Sequence, residues 1–275
     1  MQQATKYGQL FEERCNLPLG KPAQFFDDQL KKDPTNVDLW MKKGIALLDY
    51  RHMYREGVEA VCTGLSYDPF HYESHLNRGF MYIKMHRFAE AAAEYRLASR
   101  MCREEKEPLY YLAMMYFYLE DYTEADRIYD QIWRMDEGEY NWCAVATWHW
   151  FTLKILGHHE KAAQILNRIS LNQKPVGTVG PLGNVYYDQS YFIHCLLFKG
   201  LLAPEAILED TKDKDDYYFV MMSFFVAVYY EFTGREGDAF ALYREMLARL
   251  GDSTSTVLVV QMMRRIQTLS QKIEQ

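Results

Sequence analysis

The chain has 275 residues, 49% of them hydrophobic and 25% charged, which is the composition of a soluble folded protein and not of a disordered one. The formal net charge is −7, and lysines and arginines are scattered along the chain, so a basic face for nucleic acid is not expected. No apolar run approaches the roughly 18–20 residues that span a bilayer, so no membrane span is predicted.

The N-terminal sequence and the cysteines bear on the cellular compartment of the protein. Residues 1–15 lack a basic start followed by an apolar stretch, so no signal peptide is predicted. No C-x-x-C pair is present to hold zinc, and an odd number of cysteines in a chain of this length does not suggest a disulfide framework. The five cysteines are Cys15, Cys62, Cys102, Cys143 and Cys195. We expect reduced thiols in a cytoplasmic protein; the alternative is an envelope protein without its export signal.

The first predicted elements precede Pro34, which stops a helix. Residues 23–32 predict a short helix, and residues 3–16 are expected to form its partner. The apolar face of the short helix consists of Phe25, Phe26 and Leu30. A terminal hairpin is therefore expected over residues 1–34.

An internal repeat follows, with the period of about 34 residues that is typical of one class of helical repeats. The stretch RFAEAAAEYRLASR (87–100) aligns with DYTEADRIYDQIWR (121–134), which pairs Phe88 with Tyr122. Apolar residues of the first stretch recur at i, i+3, i+4 and i+7, the spacing of one helix face. Small residues among the aromatics let paired helices approach closely. Because a single helical hairpin cannot bury both its faces, neighbouring hairpins must stack.

These residues resemble the tetratricopeptide repeat (TPR), in which each repeat forms two antiparallel helices, A and B. The first three repeats carry the pattern through Trp40, Gly44, Leu47, Tyr54, Gly57, Val61, Gly64 and Pro69; His75, Gly79, Tyr82, Phe88, Ala91, Tyr95 and Ala98; and Leu109, Leu112, Ala113, Tyr116, Tyr122, Ala125 and Tyr129. The resemblance implies an all-α fold, a right-handed α-α superhelix (TPR solenoid) of about six helical hairpins with terminal capping helices.

The repeat continues less regularly towards the C-terminus. A fourth copy contains Ala162 and a last copy contains Ala239, and the interval between them is two periods plus nine positions. One degenerate repeat and an insertion fit that interval. We expect a single domain over residues 1–275, made of an N-terminal capping hairpin (1–34), four TPR repeats (35–170), an inserted Gly/Pro loop (171–185), and a degenerate repeat, a final repeat and an amphipathic capping helix (186–275).

A closer similarity concerns residues 198–247, where a short helix opens at Pro204, an acidic turn follows and a full repeat comes last. HLNRGFMY (75–82) lies two repeats earlier. This order is similar to the TPR lipoproteins of enterobacterial envelopes called new lipoprotein I. That family implies a homodimeric adaptor that scaffolds cell-wall hydrolases and a protease. The present sequence departs from it in having no signal peptide and no lipid-bearing cysteine near a cleavage site, so only the architecture and the adaptor role are carried over.

The TPR family implies a ligand groove on the concave face, lined by positions 5, 9 and 12 of helix A. The predicted protein- or peptide-binding groove consists of Met41, Ile45, Leu76, Phe80, Ile83, Tyr110, Met114, Phe117, Thr147 and Phe151. The same positions in the last repeat are Phe224, Val228 and Glu231. The apolar character of the first three repeats favours an apolar peptide or helix as ligand. Alternatively, the array's own terminal helix or a tight superhelix fills the groove, because large exposed apolar areas are rare without a partner.

Three patterns contain residue types that catalysis or ligand binding can use, and none of them predicts a catalytic residue, a cofactor or a metal. His71 and His75 lie four positions apart on one helix face, but two ligands without a third are a weak metal site. His158-His159-Glu160 reads as a turn. KPVGTVGPLGNV (174–185) follows a helix and not a strand, and its G-x-x-G-x-x-G spacing matches neither a dinucleotide fingerprint nor a P-loop.

The leading functional hypothesis is a non-enzymatic protein–protein interaction scaffold or adaptor that binds a peptide or helix, with a homodimer as one possibility. A peptide-responsive regulatory protein is the second hypothesis. The third is an enzyme with a site near residues 171–185, which would require His159, His194 or Asp188 to meet there.

Overall fold

A computed structural model describes residues 22–51, 53–135, 142–172, 187–251 and 257–273. These residues form helices and no strands. The helices are α1 (Pro22–Leu30), α2 (Val37–Arg51), α3 (Tyr54–Tyr67), α4 (Tyr72–Lys84), α5 (Phe88–Met101), α6 (Glu107–Tyr118), α7 (Tyr122–Met135), α8 (Cys143–Ile155), α9 (His159–Asn167), α10 (Tyr187–Phe198), α11 (Pro204–Thr211), α12 (Asp216–Phe232), α13 (Glu236–Leu250) and α14 (Leu258–Ile273). None of them is long and apolar enough to cross a bilayer.

In chain order the described helices form six consecutive helix–turn–helix hairpins, from α2–α3 to α12–α13, with α1 before them and α14 after them. The prediction of an all-α array of about six TPR-like hairpins with terminal helices is therefore confirmed. The chain forms two compact units. The described part of the first unit is residues 22–51 and 53–135, and that of the second is residues 142–172, 187–251 and 257–273. The single domain over residues 1–275 and its internal boundaries stay a prediction.

The turn between the helices of a hairpin repeats a left-handed backbone conformation. A residue with positive φ occurs in five of the hairpins, at His86, Glu120, Gly157, Gly200 and Gly234. The first two are one repeat period apart, as are the last two. The interval from Gly157 to Gly200 exceeds the period by nine positions, and it contains residues 173–186, which lie outside the described ranges.

In the first unit each helix packs against the next one, and α2 also packs against α4. Helices α2 and α3 cross at glycines: a Cβ atom added to Gly44 would lie 2.8 Å from the carbonyl oxygen of Gly57. The close crossing brings apolar side chains of three helices into one core cluster. Its buried members are Met41, Ile45, Leu48, Val61, Leu65 and Met81.

In the second unit α10 packs against both α8 and α12, so that the first helices of three successive hairpins are neighbours. Aromatic rings fill the space between them. Trp148 of α8 meets Phe225 of α12 edge to face at 5.2 Å, and Trp150 stacks on Phe198 of α10 at 3.8 Å. Such ring pairs stabilise a core beyond their buried area. The side chain of Asp215 accepts a hydrogen bond from the backbone N–H of Tyr218 and caps α12.

Candidate functional site: the helix-A positions and the terminal helix

In the first unit the structure places almost all of the predicted groove residues inside the core. Phe80 is the exception, since its ring is half-buried and the Lys84 ammonium lies 5.2 Å from the ring centroid. The buried residues are Met41, Ile45, Leu76, Ile83, Tyr110, Met114 and Phe117. They contact neighbouring helices, as the cluster around Met41 and Ile45 shows. As ligand-contacting residues they stay a prediction.

The predicted groove residues of α8, Thr147 and Phe151, are also buried, both at 0% exposure. The hydroxyl of Thr147 lies 3.5 Å from the carbonyl oxygen of Tyr191 and 3.6 Å from Sγ of Cys195. Thr147 therefore packs α8 against α10.

The terminal helix α14 covers part of this surface. Nε of Arg265 donates to Oε2 of Glu231 at 2.9 Å, and the guanidinium also pairs with Oε1. The same guanidinium lies over the ring of Phe151, 6.0 Å from its centroid. Phe151 and Glu231 are predicted groove positions of two different hairpins. We call these two residues the covered face.

Leu258, Met262 and Leu269 form the buried apolar side of α14. Lys272 near its end pairs with Glu236 at 2.9 Å, which ties α14 to the start of α13. Glu231 and Arg265 are one repeat period apart in the sequence. The terminal helix thus stands where helix A of a further repeat would stand, and its Arg265 reaches back to α8.

The sequence predicts the helix face on which Arg265 lies, but not its partner. It follows Leu258 and Met262 at helical spacing and therefore falls on the apolar side of the predicted capping helix. Its partner Glu231 ends a strongly apolar helix, where a carboxylate that becomes buried needs a cation. Nothing in the sequence indicates that the two residues meet.

The two histidines considered as a metal pair have other partners. Nδ1 of His75 lies 2.7 Å from Glu94, and its Nε2 lies 2.9 Å from the carbonyl oxygen of Pro69. Arg78 donates to the same carboxylate at 2.8 Å. Nδ1 of His71 lies 2.9 Å from the hydroxyl of Ser74. This network, which the sequence did not indicate, holds the start of α4 against α5.

The residues of the enzyme hypothesis occupy different environments. His159 is exposed at the start of α9, whereas His194 is buried at 1% exposure and donates through Nε2 to the carbonyl oxygen of Met222 at 3.1 Å. Burial lowers the pKa of His194 to about 4, so its ring is neutral at physiological pH. The side chain of Asp188 and residues 173–186 lie outside the described part of the chain.

One further acid, with a shielded carboxyl oxygen, lies in the first unit. Oε1 of Glu107, at the start of α6, is shielded from solvent and has no hydrogen-bond partner. Desolvation, and to a smaller extent the charge of Glu105, raises the pKa of Glu107 to about 8. The side chain is therefore largely protonated at neutral pH.

Comparison with known proteins places the fold. No family model and no curated protein matches the sequence. A tetratricopeptide repeat protein from Parabacteroides merdae matches with a TM-score of 0.59 and 15% identity, over 97% of this chain and 99% of that chain. The structure of a MamA protein matches with a TM-score of 0.50 and 16% identity, over 60% of this chain and 88% of that chain. The sequence repeat, the hairpins and these structural matches agree that the chain has the fold of a TPR-like helical repeat protein.

Proposed function

We propose that the protein is a non-enzymatic interaction scaffold that holds a helical segment of a partner protein against its helix-A positions. The observation that carries the proposal is the covered face, because Phe151 and Glu231 already accommodate one amphipathic helix. Binding of an amphipathic helix in a groove between helices is a common mode of peptide recognition.

The chemistry of the described residues supports binding more than catalysis. Of the histidines in the enzyme hypothesis, His194 is engaged with backbone inside the core, and His159 lies at the surface. General acid–base catalysis needs a positioned side chain within hydrogen-bond reach of a substrate. The regulatory and enzymatic hypotheses have no comparable observation in their favour.

In the first unit Phe80 is the predicted groove residue with part of its surface open, and Lys84 lies beside it. We propose this aromatic–cation pair as a separate contact point, within the first unit, for a partner segment. Phenylalanine is among the residue types that are enriched at protein interfaces.

The test is affinity capture from the native host with the full chain as bait, followed by cross-linking and mass spectrometry. Phe80→Asp is compared with Phe25→Asp, because Phe25 is an exposed aromatic residue on α1. We expect a reproducible partner whose cross-links fall on α4, α8, α12 or α14, and whose recovery drops only with Phe80→Asp. Absence of any partner above the background, or cross-links confined to other helices, would contradict the proposal.

A further inference from the structure

We propose that α14 is a built-in stand-in for the partner, and that the partner segment is an amphipathic helix presenting a cation to Glu231 from between apolar residues. This inference rests on the proposed scaffold function and names the chemistry of the segment that the covered face takes.

The negative charge of Glu231 determines which kind of helix can occupy the covered face. Its side chain is 3% exposed, and its carboxylate is paired with Arg265. A carboxylate removed from water and left without a partner is strongly unfavourable. Any helix that replaces α14 must therefore bring its own cation to the same place, and a helix with an acid there is excluded.

Phe151, the aromatic residue of the covered face, lies beside the guanidinium that pairs with Glu231. The Arg265 guanidinium lies over the ring of Phe151 while it pairs with Glu231. A planar guanidinium both stacks on a ring and donates in parallel to a carboxylate, which an ammonium does less well. The site therefore favours arginine over lysine in the partner.

The terminal helix is an imperfect occupant. Gln261 lies one helical turn before Arg265 and is 1% exposed, and its Nε2 has no hydrogen-bond partner. A buried amide donor without an acceptor disfavours the packed state. A partner helix with an apolar residue at that position avoids this defect while keeping the arginine, so it can compete with α14.

The opposite side of α14 supplies the control. Met263 is 60% exposed, so its replacement leaves the contact with the covered face intact. Arg265→Glu places a second acid beside Glu231 and weakens the docking of α14. Leu269→Ala weakens the docking of α14 through loss of apolar contact, without a change of charge. It therefore serves as a second variant in case Arg265→Glu misfolds.

The experiment titrates fluorescent peptides into the full chain. One peptide copies residues 257–273 with Gln261→Leu, and the other carries Arg265→Glu in addition. We expect the first peptide to bind the Arg265→Glu and Leu269→Ala chains at least about tenfold more tightly than the wild-type chain. The Met263→Glu chain should bind like the wild type, and the acidic peptide should bind none of them.

Equal affinity of the first peptide for all four chains, or equal affinity of the two peptides, would overturn the inference. Failure of the peptides together with a captured partner cross-linked near Phe80 would leave the scaffold function standing. If the peptides bind as expected but no partner is captured, the covered face is supported as a helix-binding surface, and the proposed scaffold function is contradicted.

Discussion

The guanidinium of Arg265 and the carboxylate of Glu231 form a shielded ion pair with an Nε–Oε2 distance of 2.9 Å. The pair joins α14 to α12 and lies beside the ring of Phe151 in α8. One charge interaction that water screens weakly therefore lies where three elements of the second unit come together.

We expect removal of one partner of this pair to cost more than removal of both. Arg265→Leu leaves Glu231 buried without a cation and should lower the stability of the α14 contact by about 3–5 kcal/mol. The double variant Glu231→Leu with Arg265→Leu should recover a large part of that loss. Urea unfolding followed by circular dichroism measures both. A double variant less stable than Arg265→Leu alone would contradict the expectation.

The environment of Tyr243 predicts that its replacement by phenylalanine does not lower the stability of the fold. Its side chain is fully buried, its hydroxyl has no hydrogen-bond partner, and burial raises its pKa. Tyr243→Phe should leave the melting temperature unchanged or raise the stability by up to about 1 kcal/mol. Tyr230→Phe is the matched control, because that hydroxyl donates to Glu205 at 3.2 Å and its removal should cost about 0.5–1.5 kcal/mol. Equal losses in both variants would show that the Tyr243 hydroxyl has a partner.

Two helical glycines, Gly44 at the crossing of α2 and α3 and Gly237 in α13, predict substitution effects of opposite sign. Gly44→Ala would place Cβ 2.7 Å from Cγ2 of Val61 and 2.8 Å from a backbone oxygen, so it should destabilise the chain by about 1–3 kcal/mol. Gly237→Ala, in the first turn of α13, meets no atom within 4 Å and should stabilise by up to about 1 kcal/mol. Thermal unfolding separates the two signs. A stable Gly44→Ala chain would mean that the helices lie farther apart.

The buried His194 predicts a loss of stability in acid. Its pKa lies near 4 in the folded chain and near 6.5 when exposed, so between these values the unfolded state binds the extra proton. Stability is therefore complete above pH 6.5 and falls by roughly 3 kcal/mol as the pH drops to 4. His194→Gln should make the free energy of unfolding depend less on pH between pH 4 and 6.5. Urea unfolding of the variant and the wild type at a series of pH values measures this difference. Parallel profiles would place His194 in contact with solvent.

The sequence predicted the hairpins well because their information is local. The helix predicted over residues 23–32 is found at Pro22–Leu30, and the predicted amphipathic capping helix is found at Leu258–Ile273. Periodicity within one helix and glycine or proline at its end suffice for such predictions.

The candidate site could not be predicted in the same way. Whether a residue at a groove position is open depends on how closely neighbouring hairpins pack, and the pattern of a single repeat does not encode that distance. Met41 and Phe117 are fully enclosed by adjacent helices, whereas Phe80 is half open. Since Phe117 is buried, a charged residue there would test folding and not binding.

The most direct measurement of an exchangeable terminal helix is amide hydrogen exchange in the full chain. If α14 opens while the hairpins stay folded, its amides should exchange at least about tenfold faster than those of α12, and Arg265→Leu should accelerate only α14. Exchange of α12 and α14 at one common rate, in the wild type and in the variant, would contradict an exchangeable helix on the covered face.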